Sequence, residues 1–377
     1  MKISTKLAQI GNRQDPTGAI SFPIYHSATF AHPGFEQSTG FDYSRTKNPT
    51  RQVLENAIAD LEEGTRGYAF SSGMGAITTI LALFSQGDHL LVTEDPYGGT
   101  YRILQEVFQD FGLETSFVDT SDLEAIRKAI KPNTKSVFVE TPTNPLMKIA
   151  DLRGISTICQ ENNLLHIVDN TFLTPYLQKP LTLGADMVIH SGTKYLGGHN
   201  DVVSGLVVVK GEELAARFGR LQNTLGATLG PQDSWLMIRG MKTLALRMKA
   251  QEENAHKIAQ WLLNHPAITK VYYPGLKDHP GNELQLQQAK GFGAMISFRV
   301  KDRELIPKIL SSLKTISYAE SLGGVESLIT YPATQTHGDI PEEVRENLGV
   351  DRSLLRLSVG IEDVEDLIDD LEQAFNK

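Results

Sequence analysis

The sequence contains little of what marks secreted, membrane or nucleic-acid-binding proteins. Its 377 residues include one cysteine, so no disulfide can form within the chain. No apolar run approaches the roughly 18 residues of a membrane span, and no apolar signal core follows the first residues. The net charge is -9 with both signs interspersed, which argues against a basic nucleic-acid surface. These absences predict a cytoplasmic enzyme or binding protein with neither nucleic acid nor membrane as partner.

The first 50 or so residues are rich in Gly, Pro, Ser, Thr and Tyr and show no clear helical period. This pattern predicts an extended arm. A segment of this length without regular structure usually packs on something, often another subunit. A floppy tail is the alternative, but six aromatic residues favour docking: Phe22, Tyr25, Phe30, Phe35, Phe41 and Tyr43.

From Thr50 onward, short apolar runs alternate with amphipathic helical segments. Near-continuous apolar strands separated by helices are typical of a mostly parallel sheet covered on both faces, hence an α/β fold. A long helical stretch over 232–264 then leads into a smaller α/β domain. The strands expected before that stretch are 67–70, 89–94, 115–119, 135–140, 164–168, 187–190 and 206–209.

Lys194 follows a predicted strand and a small, hydroxyl-rich turn, residues 191–193. A lysine is rarely buried because losing its hydration is costly. A Schiff base to a cofactor removes much of that cost and would explain the small neighbours. A surface lysine in a loop is the alternative.

Asp169 ends a buried apolar strand 25 positions before Lys194. A carboxylate at that place can pair with the pyridine nitrogen of pyridoxal 5′-phosphate (PLP) and keep the ring protonated as an electron sink. A helix-capping or metal-binding aspartate would fit the same pattern.

Residues 71–75, Ser-Ser-Gly-Met-Gly, turn a strand into a helix through small side chains. The free N–H groups and positive dipole end of a helix N-terminus suit a phosphate. A dinucleotide fingerprint is a rival, but Thr78 stands where its third glycine would be. A plain tight turn also remains open.

Arg356 lies inside the apolar segment 354–359. A guanidinium in that setting favours a planar anion such as an amino-acid carboxylate, although a structural ion pair would also account for it. Together the four places suggest one site, with a phosphate cradle, a ring partner, a Schiff-base lysine and a carboxylate clamp.

At these residues the sequence resembles the Cys/Met-metabolism family of PLP enzymes, which includes cystathionine γ-synthase, the cystathionine lyases, methionine γ-lyase and O-acetylhomoserine sulfhydrylase. The similarity covers essentially the whole chain. The motifs that carry it are 43–45, 48–51, 71–74, 95–101, 140–145, 168–172, 191–199 and 320–327.

The resemblance implies a type I, aspartate-aminotransferase-like fold with a mostly parallel seven-stranded sheet. It also implies a homotetramer made of two active dimers. Three parts of the chain are expected on this basis: an N-terminal arm (1–48) that reaches the neighbouring subunit, a PLP-binding domain (49–236) and a C-terminal domain (237–377).

The resemblance also implies PLP as cofactor, with no metal. Lys194 would hold it as a Schiff base, Asp169 would face the pyridine nitrogen, and Tyr97 would stack on the ring and assist proton transfer. The other implied cofactor contacts are Gly73, Met74, Thr171, Ser191 and Thr193, with Tyr43 and Arg45 arriving from the neighbouring subunit. The implied substrate-binding residues are Asn144, Glu320, Ser321, Arg356 and Arg102.

Several family members remain open as the activity. The preferred expectation is γ-replacement on an activated homoserine ester by cysteine or sulfide, giving cystathionine or homocysteine; the alternative is a cystathionine γ-lyase, which releases cysteine, 2-oxobutyrate and ammonia. Glu320 resembles the γ-synthase and γ-lyase pattern, and Gly99 stands where methionine γ-lyases have a reactive cysteine. Gly323-Gly324 resembles γ-synthases, whereas 230–235 resembles bacterial γ-lyases equally. A catalytically silent PLP-binding protein and a nucleotide-binding dehydrogenase are the rivals from other classes.

Overall fold

The structure is a computed structural model that describes residues 1–338 and 340–376. Its larger sheet has seven strands in the order β1-β7-β6-β5-β4-β2-β3, and β7 is the strand that runs against the others. The strands are β1 (Arg66–Phe70), β2 (His89–Thr93), β3 (Glu114–Val118), β4 (Thr134–Glu140), β5 (Leu165–Asp169), β6 (Met187–Ser191) and β7 (Gly205–Val209). Each of the seven strands predicted in this part of the chain is confirmed to within two residues.

The helices that cover this sheet follow the strands along the chain. They are α1 (Ile3–Ala8), α2 (Pro49–Glu62), α3 (Gly73–Leu81), α4 (Gly98–Ile103), α5 (Leu123–Ala129), α6 (Leu152–Glu161), α7 (Thr174–Leu177), α8 (Glu212–Leu225) and α9 (Pro231–Lys242). A π-helical turn, Leu104–Phe108, continues α4, and a 3₁₀ turn spans Pro180–Leu183.

Successive residues of the central strands face opposite cores, which is why those strands read as continuous apolar runs. Val168 and Val188 belong to the core beneath α2. Ile167 and Ile189 belong to the core beneath α3 and α8. Helices on both faces of the sheet confirm the covered parallel sheet that the sequence predicted.

The second sheet has five strands in the order β10-β11-β12-β9-β8 and is largely antiparallel. Its strands are β8 (Ile268–Tyr272), β9 (Met295–Val300), β10 (Ser317–Tyr318), β11 (Leu328–Thr330) and β12 (Leu354–Ser358). The accompanying helices are α10 (Leu244–Leu263), α11 (Asn282–Gln288), α12 (Ile306–Ser312), α13 (Glu342–Asn347) and α14 (Val364–Phe375), with a 3₁₀ turn at Arg303–Leu305. The boundaries proposed at 48/49 and 236/237 stay a prediction, and residues 339 and 377 of the third part lie outside the described residues.

Two local expectations were wrong. The N-terminal arm begins with a short helix, α1, which buries Leu7 completely and is joined to α2 by a 2.7 Å ion pair between Lys6 and Asp60. A six-residue helix has too short a periodic pattern to be seen in sequence and is stabilised by its tertiary contacts.

The expected continuous helix over 232–264 is two helices, α9 and α10, which meet at Thr243. The backbone N–H of Thr243 bonds to Gly240 O at 3.2 Å, and its hydroxyl donates to the same carbonyl at 3.0 Å. A threonine hydroxyl competes for helical carbonyls in this way, which explains the break. Within the described residues, no helix combines the length and apolarity needed to cross a membrane.

Candidate active site

The carboxyl ends of several parallel strands meet at one edge of the larger sheet, where open α/β proteins bind ligands. Strand β4 ends at Glu140, β5 at Asp169 and β6 at Ser191, and all three residues line a cleft of about 540 Å³. Ser321 and Arg356, from the part of the chain that carries the second sheet, line the same cleft. The cleft therefore unites residues far apart in sequence.

Lys194 extends into this cleft and is not a surface lysine. Its Nζ donates a 2.9 Å hydrogen bond to Ser321 Oγ. Burial, reinforced by the nearby positive charge of Arg356, lowers the pKa of Lys194 to about 8, while Glu320 opposes the shift. An amine with this pKa is available in its neutral, nucleophilic form near neutral pH far more often than an ordinary lysine.

Ser321 reaches Lys194 through an unusual backbone conformation. Its φ is +86°, in the left-handed region that side-chain-bearing residues rarely adopt. In this conformation its hydroxyl meets Lys194 and its carbonyl accepts from Arg356 Nη2 at 2.9 Å. Strained residues of this kind persist where the surrounding contacts hold them.

Asp169 lies at the end of β5 and lines the cleft, with one carboxylate oxygen engaged by Thr171. Its Oδ1 accepts from the N–H of Thr171 at 3.0 Å and from the hydroxyl of Thr171 at 2.5 Å. Burial raises the pKa of Asp169, whereas the bonds from Thr171 counteract it. A hydrogen-bond donor placed against the second oxygen, such as a protonated ring nitrogen, would stabilise the charged carboxylate.

The N-terminus of α3 forms one wall of the cleft. Ser72 caps the helix by accepting from the N–H of Gly75 at 3.0 Å. The N–H groups of Gly73 and Met74 belong to the first turn, where no intrahelical acceptor exists. A Cβ built on Gly73 would lie 3.4 Å from Ser191 Oγ, so the helix end and the β6 turn face each other closely. Thr193 also lines the cleft, and this group of donors fits a phosphate.

Arg356 is 1% exposed, yet no carboxylate bonds to it within the described residues. Nη1 donates to Asn144 Oδ1 at 3.0 Å, and Nη2 donates to Ser321 O at 2.9 Å and to Thr330 Oγ1 at 3.0 Å. Nε has no hydrogen-bond partner in the part of the chain that the structure describes. Burial lowers the pKa of Arg356 to about 10. A buried guanidinium that bonds to no carboxylate can accept one from a ligand, which argues against the structural ion pair considered from sequence.

Tyr97 stands at the rim of the cleft, where 44% of it is exposed. Its backbone N–H donates to Glu140 Oε2 at 2.9 Å. A Cβ at Gly99 would lie 2.5 Å from Tyr97 Cε1 and 2.7 Å from Met74 Sδ. Glycine at position 99 therefore lets the tyrosine ring lie against the chain. Glu320 and Arg102 also line the cleft.

Glu140 was missed by the sequence interpretation. It lies under the cleft, accepts from Tyr97 and from the N–H of Asn144 at 3.2 Å, and thereby joins two other site residues. Burial, and next the negative charge of Asp169, raise its pKa well above the usual range. The available signal was an acidic residue ending the apolar segment 135–140, the same pattern that identified Asp169.

Tyr43 and Arg45 lie outside the cleft of their own chain. Arg45 Nη1 donates to Asn223 O at 2.6 Å, and the Arg45 guanidinium lies 5.6 Å from the centre of the Tyr43 ring. Tyr43 is 48% exposed. The other sequence-predicted site residues line one cleft: Gly73, Met74, Tyr97, Arg102, Asn144, Asp169, Thr171, Ser191, Thr193, Lys194, Glu320, Ser321 and Arg356.

The cleft offers what PLP requires of a protein. An amine of lowered pKa can bond the aldehyde, a buried carboxylate can face the ring nitrogen, and helix N–H groups with hydroxyls can bind the phosphate. Lys194, Asp169 and the Gly73–Ser191 pair supply these in a single cavity. The match between this cleft and PLP is thus inferred from the burial and hydrogen bonds of the residues that line the cleft.

Residues 4–376 match the family described as Cys/Met metabolism PLP-dependent enzyme. The chain is 57% identical over 374 residues to a cystathionine gamma-synthase/O-acetylhomoserine (thiol)-lyase of Bacillus subtilis (strain 168), covering 99% of this chain and 96% of the relative. It is 55% identical over 361 residues to a cystathionine gamma-lyase of the same organism, covering 96% and 95%. It is 51% identical over 376 residues to a cystathionine beta-lyase of Lactococcus lactis subsp. cremoris (strain MG1363), covering 100% and 99%.

Solved structures match over the whole chain. A cystathionine gamma-lyase from Lactobacillus plantarum complexed with L-serine superposes with a TM-score of 0.97 at 50% identity, covering 100% of this chain and 99% of the other. A cystathionine gamma synthase from Xanthomonas oryzae pv. oryzae in complex with aminoacrylate and cysteine superposes with a TM-score of 0.98 at 41% identity, covering 100% and 98%.

Proposed function

Because the chain belongs to the Cys/Met metabolism family of PLP-dependent enzymes, we propose that it catalyses γ-replacement on an activated homoserine ester. Cysteine or sulfide is the incoming thiol, and cystathionine or homocysteine is the product. Membership of the family confirms the resemblance, the fold class and PLP as cofactor. The choice among family members, and the role of each residue, are part of the proposal.

Lys194 is proposed to hold the cofactor covalently and then to move protons on the substrate. The bound cofactor supplies an electron sink for the charge left on a deprotonated carbon. γ-Replacement removes a proton from Cα and one from Cβ before the group on Cγ leaves, so it needs a base that reaches more than one carbon. Lys194 has a flexible stem and a pKa of about 8, and Ser321 Oγ holds its amine 2.9 Å away.

The other residues bind and orient. Asp169 holds the ring-nitrogen proton, and Gly73, Met74, Ser191 and Thr193 bind the phosphate. Arg356, supported by Asn144, binds the substrate carboxylate through the N–H groups that its protein contacts leave free. Tyr97 covers the ring from the rim of the cleft. Holding the carboxylate and the amine at fixed points orients the Cγ substituent toward the mouth.

Tyr43 and Arg45 are proposed to serve the phosphate of a neighbouring subunit in a homotetramer. Both lie outside the cleft of their own chain, on an arm whose exposed aromatic residues include Phe35, which is 90% exposed. Exposed aromatic surface of this kind favours contact with another chain.

The observation that carries the choice of γ-replacement is the loop 320–324 beside Lys194. Glu320 lines the cleft and resembles the γ-synthase and γ-lyase pattern. A Cβ at Gly324 would lie 2.3 Å from Asn200 Nδ2, which donates to Glu326 Oε2 at 2.7 Å. Glycine at 324 therefore lets the Asn200 side chain lie against the loop, and the Gly-Gly pair resembles the form found in γ-synthases.

Cystathionine γ-lyase is the second candidate, favoured by the 55% identity to a relative of that name over nearly the whole chain. Elimination uses the same base and the same carboxylate site. It differs in whether a thiol reaches the Cγ position before the amino acid is released as a 2-oxo acid and ammonia.

The deciding experiment supplies the purified enzyme with O-acetyl- or O-succinylhomoserine and cysteine or sulfide, and separately with cystathionine. Products are identified by mass spectrometry. Cystathionine or homocysteine as the dominant product supports γ-replacement. Faster release of cysteine and 2-oxobutyrate from cystathionine favours the γ-lyase. Homocysteine and pyruvate from cystathionine would indicate β-elimination and overturn both proposals.

Lys194→Ala is the control for the whole scheme. It is expected to abolish both the visible cofactor band and turnover, because no other described amine with a strongly lowered pKa lines the cleft. Turnover retained by this variant contradicts the proposed role of Lys194.

A further inference from the structure

Helix α10 passes beneath the two loops that bring Lys194 and Ser321 together. Arg247 and Gln251 lie four residues apart on it and so share one face. Both residues are buried: Arg247 is 4% exposed and Gln251 is 0% exposed. Neither lines the cleft. Buried polar side chains normally have hydrogen-bond partners, so the bonds that these two make indicate what they hold in place.

Arg247 binds the loop that follows Lys194. Its Nη1 donates to Tyr195 O at 2.7 Å, its Nη2 donates to Gly240 O at 2.9 Å, and its Nε donates to the hydroxyl of Thr243 at 3.0 Å. Gly198 presses against the guanidinium: its φ is +70°, and a Cβ there would lie 2.0 Å from Arg247 Nη1. The backbone of the loop therefore packs directly on the guanidinium.

Arg247 bonds to no carboxylate within the described residues, and burial lowers its pKa to about 10. Burying a cation without a counter-ion is costly, so its backbone contacts must stabilise the loop enough to offset that cost.

Gln251 binds the loop on the other side. Its Nε2 donates to Gly324 O at 2.7 Å and to Val359 O at 3.2 Å. The two loops are also in direct contact, since a Cβ at Gly323 would lie 2.6 Å from the backbone N of Tyr195. The N–H of Gly323 is held by Ser358 Oγ at 2.7 Å.

We propose that Arg247 and Gln251 are positioning residues that together set the separation between Lys194 Nζ and Ser321 Oγ. We call this pair the α10 clamp. Arg247 fixes the carbonyl next to Lys194, and Gln251 fixes the carbonyl three residues beyond Ser321. This inference rests on the proposed role of Lys194 and adds residues that touch neither substrate nor cofactor.

The clamp has a consequence for the chemistry of Lys194. If its loop moves away from the 321–324 loop, the amine loses the Ser321 hydroxyl and becomes better solvated. Burial is the main reason for the lowered pKa of Lys194, so that pKa moves back toward its ordinary value. A rise of one unit reduces the neutral fraction of the amine about tenfold below the pKa.

The test uses the holoenzymes of Arg247→Lys, Gln251→Met and the double variant. Lysine keeps the charge but cannot hold several carbonyls, and methionine keeps the length of glutamine without its amide. Ile258→Ala is the matched control, because Ile258 is completely buried on the same helix and has no polar contact with either loop. Thermal unfolding, the pH dependence of kcat, KM and the pH titration of the visible cofactor band are measured for each.

In both single variants, the acidic limb of kcat is expected to move upward by about one pH unit, with KM within about twofold of wild type. The midpoint of the band titration should shift as well, because the band reports protonation of the same Lys194 nitrogen once it is bonded to the cofactor. The double variant is expected to shift little more than the larger single variant, because both side chains control one separation. The control should lose thermal stability with no change in either pH midpoint.

Unchanged pH midpoints in Gln251→Met, or an equal shift in Ile258→Ala, would overturn the α10 clamp. If Arg247→Lys does not fold, Gln251→Met decides the question by itself. The Lys194→Ala variant separates the two proposals. If that variant retains band and turnover, the proposed function fails; if it loses both while the clamp variants resemble wild type, the clamp alone fails.

Discussion

Replacing Arg356 by alanine tests the carboxylate site most directly. Three of the five guanidinium N–H groups are engaged by Asn144, Ser321 and Thr330. Two N–H groups therefore remain for a substrate carboxylate, in a place where the guanidinium is 1% exposed. The variant removes the charge and both free donors, while the residues that face the cofactor ring and phosphate stay in place.

The magnitude follows from the bonds lost. Hydrogen bonds to charged groups contribute about 1.5 to 3 kcal/mol each, and truncating one partner of a buried charged pair costs about 2 to 5 kcal/mol. Water entering the vacated space recovers part of this, so we take about 3 kcal/mol. That free energy corresponds to a loss of roughly 150-fold in kcat/KM, expected mainly as a higher KM.

The assay compares kcat and KM for the homoserine ester at saturating thiol, together with the visible cofactor band and thermal unfolding. The band is expected to persist. Arg356→Lys is the matched control, because it keeps the charge but not the fork, and it should lie between wild type and alanine. Loss of the band in Arg356→Ala would show that Arg356 is structural, and an unchanged KM would refute its role in carboxylate binding.

Three further predictions concern a buried carboxylate, the wall of the cleft and the N-terminal arm. Asp95 is fully buried, and burial raises its pKa from 3.8 to about 7. The folded protein therefore binds a proton that the unfolded chain releases, and stability falls as pH rises through this window. The free energy of unfolding of Asp95→Asn relative to wild type should therefore increase as pH rises from about 4 to about 7, by at most about 4 kcal/mol. Thermal unfolding at several pH values measures this difference, and a difference that does not depend on pH contradicts the prediction. Gly99→Ala should displace the ring of Tyr97 and lower kcat roughly ten- to a hundredfold, whereas Gly230→Ala, whose Cβ meets nothing within 4 Å, should not. Arg45→Ala should release the cofactor faster on dialysis, measured by loss of the visible band, and unchanged retention argues against a site shared between subunits.

Much of the fold could be predicted because its signals are local. The strands of the larger sheet are buried on both faces, so each appears as an apolar run with turn residues at its ends. The same reading placed Asp169 and Lys194 at strand ends, where ligands bind. It missed α1 because a short helix depends on tertiary contacts, and it missed the break at Thr243 because one threonine does not interrupt an amphipathic pattern.

The pKa values and hydrogen-bond partners of the site residues could not be predicted from the sequence in the same way. Asp95 and Glu140 look like ordinary acidic residues in the sequence, but burial, together with neighbouring carboxylates brought close by the fold, raises their pKa values. Arg247 and Gln251 look like ordinary helical polar residues until the loops they bind are seen.

The amino-acid sequence by itself determined the doubly covered parallel sheet and the kind of chemistry available, because apolar periodicity and strand-end residues are properties of neighbouring positions. The tertiary structure alone decided which groups meet. Ser321 reaches Lys194 across 127 positions of chain, and Arg356 reaches Asn144 across 212. Contacts of that span, and the desolvation that comes with them, depend on how the two sheets pack around one cleft, since only packing fixes the distance and dielectric around a charge.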